Sequence, residues 1–240
     1  MIPSTSCQTY VSSRSDGRKP LGGCGAAPWL GRWLILAGLA LGSQDLIAWD
    51  GARMLSAASA FGPRTVAVAA QLQQVIAHAS TQDVASRLSA VNDFFNRHIE
   101  FRTDQEVWGE DDFWASPLQA LAKGRGDCED YAIAKFASLV AAGTPAARLR
   151  LVYVRVRRVG GIQAHMVLAY YASAHAEPVI LDNLVSRVET ASKRPDLTPV
   201  FSFNGEGLWQ GVGERTAGNP LERLSRWRDV LGKMRAQGFL

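Results

Sequence analysis

Three residues of the 240-residue chain combine a reactive type with a suggestive position. Cys128 follows Gly126-Asp127 and opens a long apolar segment. His165 heads the run Ala164-His165-Met166-Val167-Leu168-Ala169-Tyr170. Asp182 closes Val179-Ile180-Leu181-Asp182-Asn183. A thiol attacks as its thiolate, and a helix N-terminus favours that form through its unsatisfied N–H groups. The cysteine's own N–H could also help to bind an oxyanion. A histidine at the mouth of a core strand needs a polar partner, and a carboxylate could fix its tautomer. In chain order the three read as nucleophile, base and orienter. Each also has a plain structural reading: a small buried thiol packing like alanine, a satisfied core histidine and a turn-forming aspartate. A zinc site made by the same three residues is a further alternative.

The other histidines carry less. His78 and His98 fall at predicted helix ends, where a dipole interaction suffices, and His175 lies in a polar turn. The remaining cysteines, Cys7 and Cys24, lie near the N-terminus. The domain after residue 48 therefore keeps one cysteine, which excludes a disulfide framework.

The elements that must position these residues follow from spacing. Apolar residues from Thr65 to His78 predict a helix. Val84, Leu88, Val91, Phe95 and Ile99 form a helical stripe. Phe101–Trp114 is acidic and aromatic and reads as a loop, lining a groove or covering core tryptophans. Ser116-Pro117 is a helix start, with Gly124 as the stop. A helix beginning at Asp127-Cys128 runs to near Gly143, interrupted by strongly polar residues only at Lys135 and Ser138, so it should be buried. Alternation then takes over. Strands are predicted over Leu149–Val156, Ala164–Tyr171, Val179–Asp182 and Pro199–Phe203, followed by a last helix over Leu221–Met234. Arg148, Arg150, Arg155, Arg157 and Arg158 read as a solvated strand face or as edge protection. Helices first and strands later predict an α+β fold with an antiparallel sheet.

Hydrophobic residues make up 47% and charged residues 20%, which excludes a mainly disordered chain. The net charge of +4 contains no long basic block, so nothing points to nucleic acid. Half of that charge belongs to residues 1–48, where Arg14, Arg18, Lys19 and Arg32 outnumber Asp16 and Asp45. Arg32 precedes the short apolar run Trp33–Gly42, below the roughly 20 residues a membrane span needs. The pattern is that of a secretory signal, with cleavage expected near Ala48; an uncleaved anchor is the alternative. Residues 1–48 are thus read as an extension with a signal peptide, and 49–240 as the domain.

Several motifs together resemble the bacterial transglutaminase-like cysteine proteinases, and among them a periplasmic type. They are Gly126-Asp127-Cys128-Glu129-Asp130-Tyr131-Ala132, Ala164-His165-Met166-Val167-Leu168, Leu181-Asp182-Asn183, Trp108-Gly109, Trp114 with Pro117, and Phe201-Ser202-Phe203-Asn204. The resemblance spans about Val91 to Trp209 and implies a papain-like, transglutaminase-like core with a Cys128–His165–Asp182 triad. It further implies a calcium requirement, a large surface adhesin as substrate, release of which controls biofilm attachment, and an inner-membrane cyclic-di-GMP receptor that sequesters the protease. A transglutaminase-type acyltransferase and a catalytically silent calcium-binding module are the alternatives on the same fold.

The acids beside the thiol bear on the calcium. Asp127, Glu129 and Asp130 flank Cys128. At ~6 Å, each like charge costs a thiolate roughly 0.7 kcal/mol even in water's dielectric. Uncompensated, they would raise the thiol pKa. A hard cation held by these oxygens, Ca²⁺ for preference, would cancel the penalty and order the loop. A favourable helix start, with Asp127 as N-cap, is the competing account.

Overall fold

The structure, a computed structural model, describes residues 49–213 and 216–240. The predicted leader and its two cysteines lie outside the described residues. Among the described residues, no helix is long and apolar enough to cross a membrane.

Three helices come first: α1 (Gly51–Ser59), α2 (Pro63–Ser80) and α3 (Val84–His98). Asp50 caps α1 by accepting from Arg53 N at 2.9 Å, and Asp83 caps α3 by accepting from Ser86 N at 3.0 Å. These bonds satisfy N–H groups that a helix start leaves without partners. Helix α1 lies outside the segments that spacing predicted; Met54 and Ala58 are its buried residues, with Leu55 and Ala57 packed partly against the core. In α3, Leu88, Val91 and Phe95 are buried as the stripe requires, whereas Val84 at its head is 42% exposed.

The segment read as a loop contains two short elements. Strand β1 (Glu100–Phe101) pairs in parallel with β2 (Arg125–Gly126). A reciprocal capping box between Thr103 and Glu106 then opens α4 (Asp104–Val107). Four helical residues are too few to show an apolar period, so only the cap could have announced α4. Helix α5 (Pro117–Lys123) starts on a capping box of Ser116 and Gln119 and stops at Gly124, whose φ of 62° suits glycine. Helix α6 (Cys128–Ala141) is buried continuously from Asp130 to Leu139, including the polar Lys135 and Ser138. It is the central pillar of the fold, packed on α3, α5 and the sheet.

The sheet is antiparallel throughout. Its strands are β3 (Leu149–Arg158), β4 (Gly161–Tyr170), β5 (Val179–Leu181), β6 (Glu189–Thr190), β7 (Leu197–Phe203), β8 (Leu208–Gln210) and β9 (Thr216–Gly218). The order is β6-β5-β4-β3-β7-β8-β9. Side-chain alternation along β3 divides two cores. Leu149 and Leu151 join the large one with Phe95, Ile133, Phe136, Leu168 and Trp227. Val152 and Val154 join a smaller one with Val167, Ala169 and Ile180. The α+β architecture and antiparallel sheet predicted from the sequence are therefore present.

Two expectations need correction. Strand β3 is the middle strand of seven, so its arginines do not protect an edge; Arg155, Arg157 and Arg158 are the solvated face that the other reading expected. Arg150 instead lies over the rings of Trp209, at 3.9 Å, and Tyr171, at 4.9 Å. The C-terminal helix is broken into α7 (Pro220–Arg223) and α8 (Ser225–Ala236). Leu224, at φ −118° and ψ 85°, leaves the helical region between them, and it lines the cleft that contains Cys128.

Asn204, directly after β7, joins sheet, loop and C-terminal helix. Its side chain donates to Leu149 O at 3.0 Å and accepts from Glu206 N at 2.7 Å and Gly207 N at 3.1 Å. Its carbonyl accepts from Trp227 Nε1 at 3.0 Å. The site is fully buried, so truncation strands several polar groups. Asn204→Ala is expected to destabilise the protein by about 2–3 kcal/mol, read from urea unfolding midpoints. A loss below about 0.5 kcal/mol would contradict this account of the junction.

Candidate active site

Cys128 begins α6 and lines a cleft of about 500 Å³ together with His165, Trp114, Tyr153, Phe201 and Leu224. Tyr153 and Phe201 stack at 5.1 Å between centroids and form an apolar wall. Asp111, Asp112 and Arg226 stand at the same cleft, and Arg226 Nη1 pairs with Asp112 Oδ2 at 3.2 Å. The acidic-aromatic stretch therefore does line the groove, through Asp111, Asp112 and Trp114. Trp108 instead stacks on Phe113 at 4.3 Å, with Lys123 over its ring.

His165 and Asp182 meet in the buried end of the sheet. Nε2 of His165 lies 2.8 Å from Oδ1 of Asp182. That oxygen also accepts from Leu184 N at 3.0 Å, and Oδ2 pairs with Arg194 at 2.8 Å. With Nε2 donating to a carboxylate, Nδ1 is the nitrogen left to accept a proton. Burial alone would raise the Asp182 carboxyl, but the bonds from His165, Leu184 and Arg194 outweigh it and hold the group down at about 2. The Asp182 carboxyl is therefore ionised throughout the neutral range. Spacing along α6 also places Lys135 in the interior without a hydrogen bond. Burial pulls its ammonium down to about 7, against the attraction of Asp182 and Asp93.

The thiol is held in its neutral form. Sγ of Cys128 donates to Glu129 Oε2 at 3.0 Å. Burial, then Glu129 and Asp127, push its pKa far up, and a bond from the Met166 backbone only partly opposes them. The acids alone thus oppose nucleophilic chemistry, as the sequence pattern implied.

Asp127, Glu129 and Asp130 do come together, and Asp104 and Asp112 join them. Ligand oxygens of Asp104, Asp127 and Asp130 lie within 4.8 Å of one another, as do those of Asp104, Asp112 and Glu129. Asp104 Oδ1, Asp127 Oδ1 and Asp130 Oδ2 are buried without hydrogen-bond partners. Asp127 occupies the N-cap position of α6 but makes no side-chain cap bond, which removes the helix-start account of its carboxylate. Burial and mutual repulsion raise the Asp127 and Asp130 carboxyls strongly and Asp104 to about 6. Orphaned, crowded carboxylate oxygens fit a hard, irregularly coordinated cation such as Ca²⁺. Gly126 belongs to the same design: a Cβ there would stand 2.5 Å from Asp130 Oδ2.

Asp104 and Asp112 are members of the cluster that sequence reasoning missed, and Asp104 is the buried one. Nothing local separates it from its acidic neighbours; the β1–β2 pair and the capped turn of α4 carry it to the head of α6. The zinc alternative loses its geometry. The metal-ligand groupings among the described residues put Cys128 with Asp127 and Glu129, not with His165. His165 Nε2 is already committed to Asp182.

A cysteine at the head of a buried helix, against an antiparallel sheet that carries a histidine–aspartate pair, defines a transglutaminase-like fold with the makings of a thiol enzyme. The chain belongs to the bacterial transglutaminase-like cysteine proteinases: the model of that family matches residues 64–197. Among solved structures, it is similar to Legionella pneumophila LapG, with 36% identity and a TM-score of 0.67 over 78% of this chain and 98% of that one. The EGTA-treated form of that protein gives a TM-score of 0.69 at 36% identity, over 78% of this chain and 98% of that one. Its calcium-bound form gives 0.67 at 36% identity, over 77% and 99%. Among curated proteins none matches the chain significantly.

The raised Asp104 carboxyl, about 6 against an ordinary 3.8, sets a pH dependence. A raised pKa contributes stability that is present below the unfolded value and lost as pH rises through the folded one. Cation-free protein should therefore melt at a lower temperature at pH 7.5 than at pH 5, and Ca²⁺ should raise Tm most at pH 7.5. Equal melting temperatures at both values, unmoved by calcium, would rule out a charged cation cluster. Gly126→Ala should lower the apparent calcium affinity by about tenfold or more, the scale of disturbing groups that orient ligands; unchanged affinity by calorimetry would separate Gly126 from the cluster.

Proposed function

We propose that this protein is a calcium-dependent cysteine endopeptidase in which Cys128, His165 and Asp182 act as a triad. The observation that carries this reading is the buried His165–Asp182 contact at 2.8 Å, with Asp182 held as a carboxylate and His165 lining one cleft with a thiol at a helix start. His165 Nδ1 takes the thiol proton, and Sγ attacks the scissile carbonyl. The Cys128 N–H at the α6 terminus faces the developing oxyanion. The imidazolium returns its proton to the leaving amine, and the acyl-enzyme is released by water with His165 as base. Asp182 holds the imidazole in the tautomer that this requires.

Asp104, Asp127, Glu129 and Asp130 are the residues that would hold Ca²⁺, with Asp112 at the rim. The ion supplies positive charge that offsets the acids pushing the thiol up. Glu129 is then drawn between two tasks, accepting from the thiol and serving the ion. Its place next to the nucleophile makes cation binding and thiol state one equilibrium.

The substrate in this reading is a large surface adhesin, cut in the periplasm and released from the cell, so that biofilm attachment is controlled. A cyclic-di-GMP receptor of the inner membrane is the sequestering partner. The motif resemblance and the likeness to LapG support these assignments. An acyltransferase would share the first half-reaction, and amine-containing products would reveal it.

Cys128→Ala should abolish cleavage, by about 10³-fold or more, while Tm stays near that of the parent because the volumes are similar. His165→Ala should cost more than Asp182→Asn if Asp182 only orients. Activity near wild type in Cys128→Ala, assayed on purified adhesin fragments in calcium, would exclude the protease reading. Chelation should inactivate reversibly, with Ca²⁺ restoring cleavage better than Mg²⁺, which demands a near-octahedral shell.

A further inference from the structure

Asp182 has two oxygens and only one faces the histidine. The other is taken by Arg194, a side chain that is 5% exposed and that no step of the proposed chemistry uses. Nη2 of Arg194 lies 2.8 Å from Asp182 Oδ2 and 2.9 Å from Asp196 Oδ2, and its Nε donates to Asp196 Oδ1 at 3.0 Å. Asp196 therefore grips the guanidinium with both oxygens, the geometry that matches a planar fork to a carboxylate. The grip is local. Arg194 closes the 3-10 turn Ala191–Lys193, and Asp196 stands two residues on, just before β7. The Asp196 carbonyl is in turn fixed by Arg157 N of β3 at 2.9 Å. A chain of charge thus runs from His165 through Asp182 and Arg194 to Asp196, anchored on the central strand.

We propose that Arg194, held by Asp196, is a positioning residue that fixes the Asp182 carboxylate so that its Oδ1 alone serves His165. Asp182 directly follows the three-residue strand β5, and Asn96 donates to its carbonyl at 2.9 Å, but that bond holds the main chain and not the rotation of the carboxylate. Rotation of the carboxylate about its Cβ–Cγ bond would carry Oδ1 away from Nε2. An ion pair on Oδ2 opposes that rotation. A lysine could supply the charge but not the two-sided fork. The assignment rests on the triad reading above.

The charged and titratable groups facing Asp182 are His165 from β4, Arg194 from the turn, Lys135 from α6 and, behind Arg194, Asp196. Removing Arg194 leaves burial to raise the Asp182 carboxyl, so the acid limb of activity moves to higher pH. Arg194 also lines a cavity of about 210 Å³ on the face of the sheet opposite the helices, so truncation opens a route for a small cation.

The test compares full-length Arg194→Ala, Arg194→Lys and Asp196→Asn in saturating calcium on an adhesin fragment. Arg194→Ala should lose more than tenfold in kcat with KM unchanged, with the acid limb shifted upward. Guanidinium at tens of millimolar should recover part of that kcat while leaving the parent unchanged. Arg194→Lys should retain the pH limb of the parent but not its full kcat, and Asp196→Asn should lose less than Arg194→Ala. Where Arg194→Ala does not fold, Arg194→Lys and Asp196→Asn carry the test, and parental kcat in both overturns the proposal. So does a folded Arg194→Ala with parental kcat and acid limb, or with a loss confined to KM. Cys128→Ala and His165→Ala run alongside: if they cleave, the triad reading has failed, whereas if they are inert and Arg194→Ala is not impaired, only the positioning role has.

Discussion

The structure turns on the burial of several carboxylates around one thiol at the start of α6. Each is expensive alone, because a charge removed from water must be paired or neutralised. Together they repel one another and the thiolate that the chemistry needs. The raised carboxyls of Asp104, Asp127 and Asp130 and the raised thiol of Cys128 are one effect seen at four groups. A divalent cation answers all of them at once, which ties the ordering of the loop to the competence of the nucleophile.

The rest of the fold reads as support for that crowded corner. Gly126 leaves the space that the Asp130 carboxylate occupies, and Ala115 N fixes the other oxygen of Asp130 at 2.8 Å. Tyr131 bonds to the Ile99 carbonyl and so ties α6 to the end of α3. Asn96 donates to the Asp182 carbonyl at 2.9 Å, and Asn92 to Ser186 O at 2.6 Å, one helical turn apart on α3. Helix α3 thereby holds the loop that carries Asp182. Two opposite electrostatic environments result. Asp182 sits among donors and a guanidinium and stays charged, while the acids near Cys128 sit among one another and resist charge. Carboxyl groups of the same chemistry are driven apart by what surrounds them.

Sequence patterns that act within a few residues were legible. The Ser116-Pro117 start, the Gly124 stop and the apolar length of α6 predicted those elements, because capping and burial are written in neighbouring positions. The alternation in β3 was clear for the same reason, and so were the apolar run in β4 and the order Cys128, His165, Asp182. Short elements were not legible. Helix α4 and strands β1, β2, β6, β8 and β9 span two to four residues, below the length at which a period can be counted. The break at Leu224 was hidden because the apolar spacing continues across it; the cleft that receives its side chain exists only in the folded chain.

The sequence by itself therefore determined the class of fold and the cysteine at the head of a buried helix with its acidic flank, since these depend on residue type and on spacing along one element. Tertiary structure alone decided which acids cluster beside Cys128, that Asp104 is among them, and that the arginines of β3 lie on a central strand. It also decided that Arg194 reaches Asp182. Each is a meeting of residues from separate elements, fixed by strand order and helix packing. Electrostatic energy depends on distance and burial, and neither is a property of position in the chain.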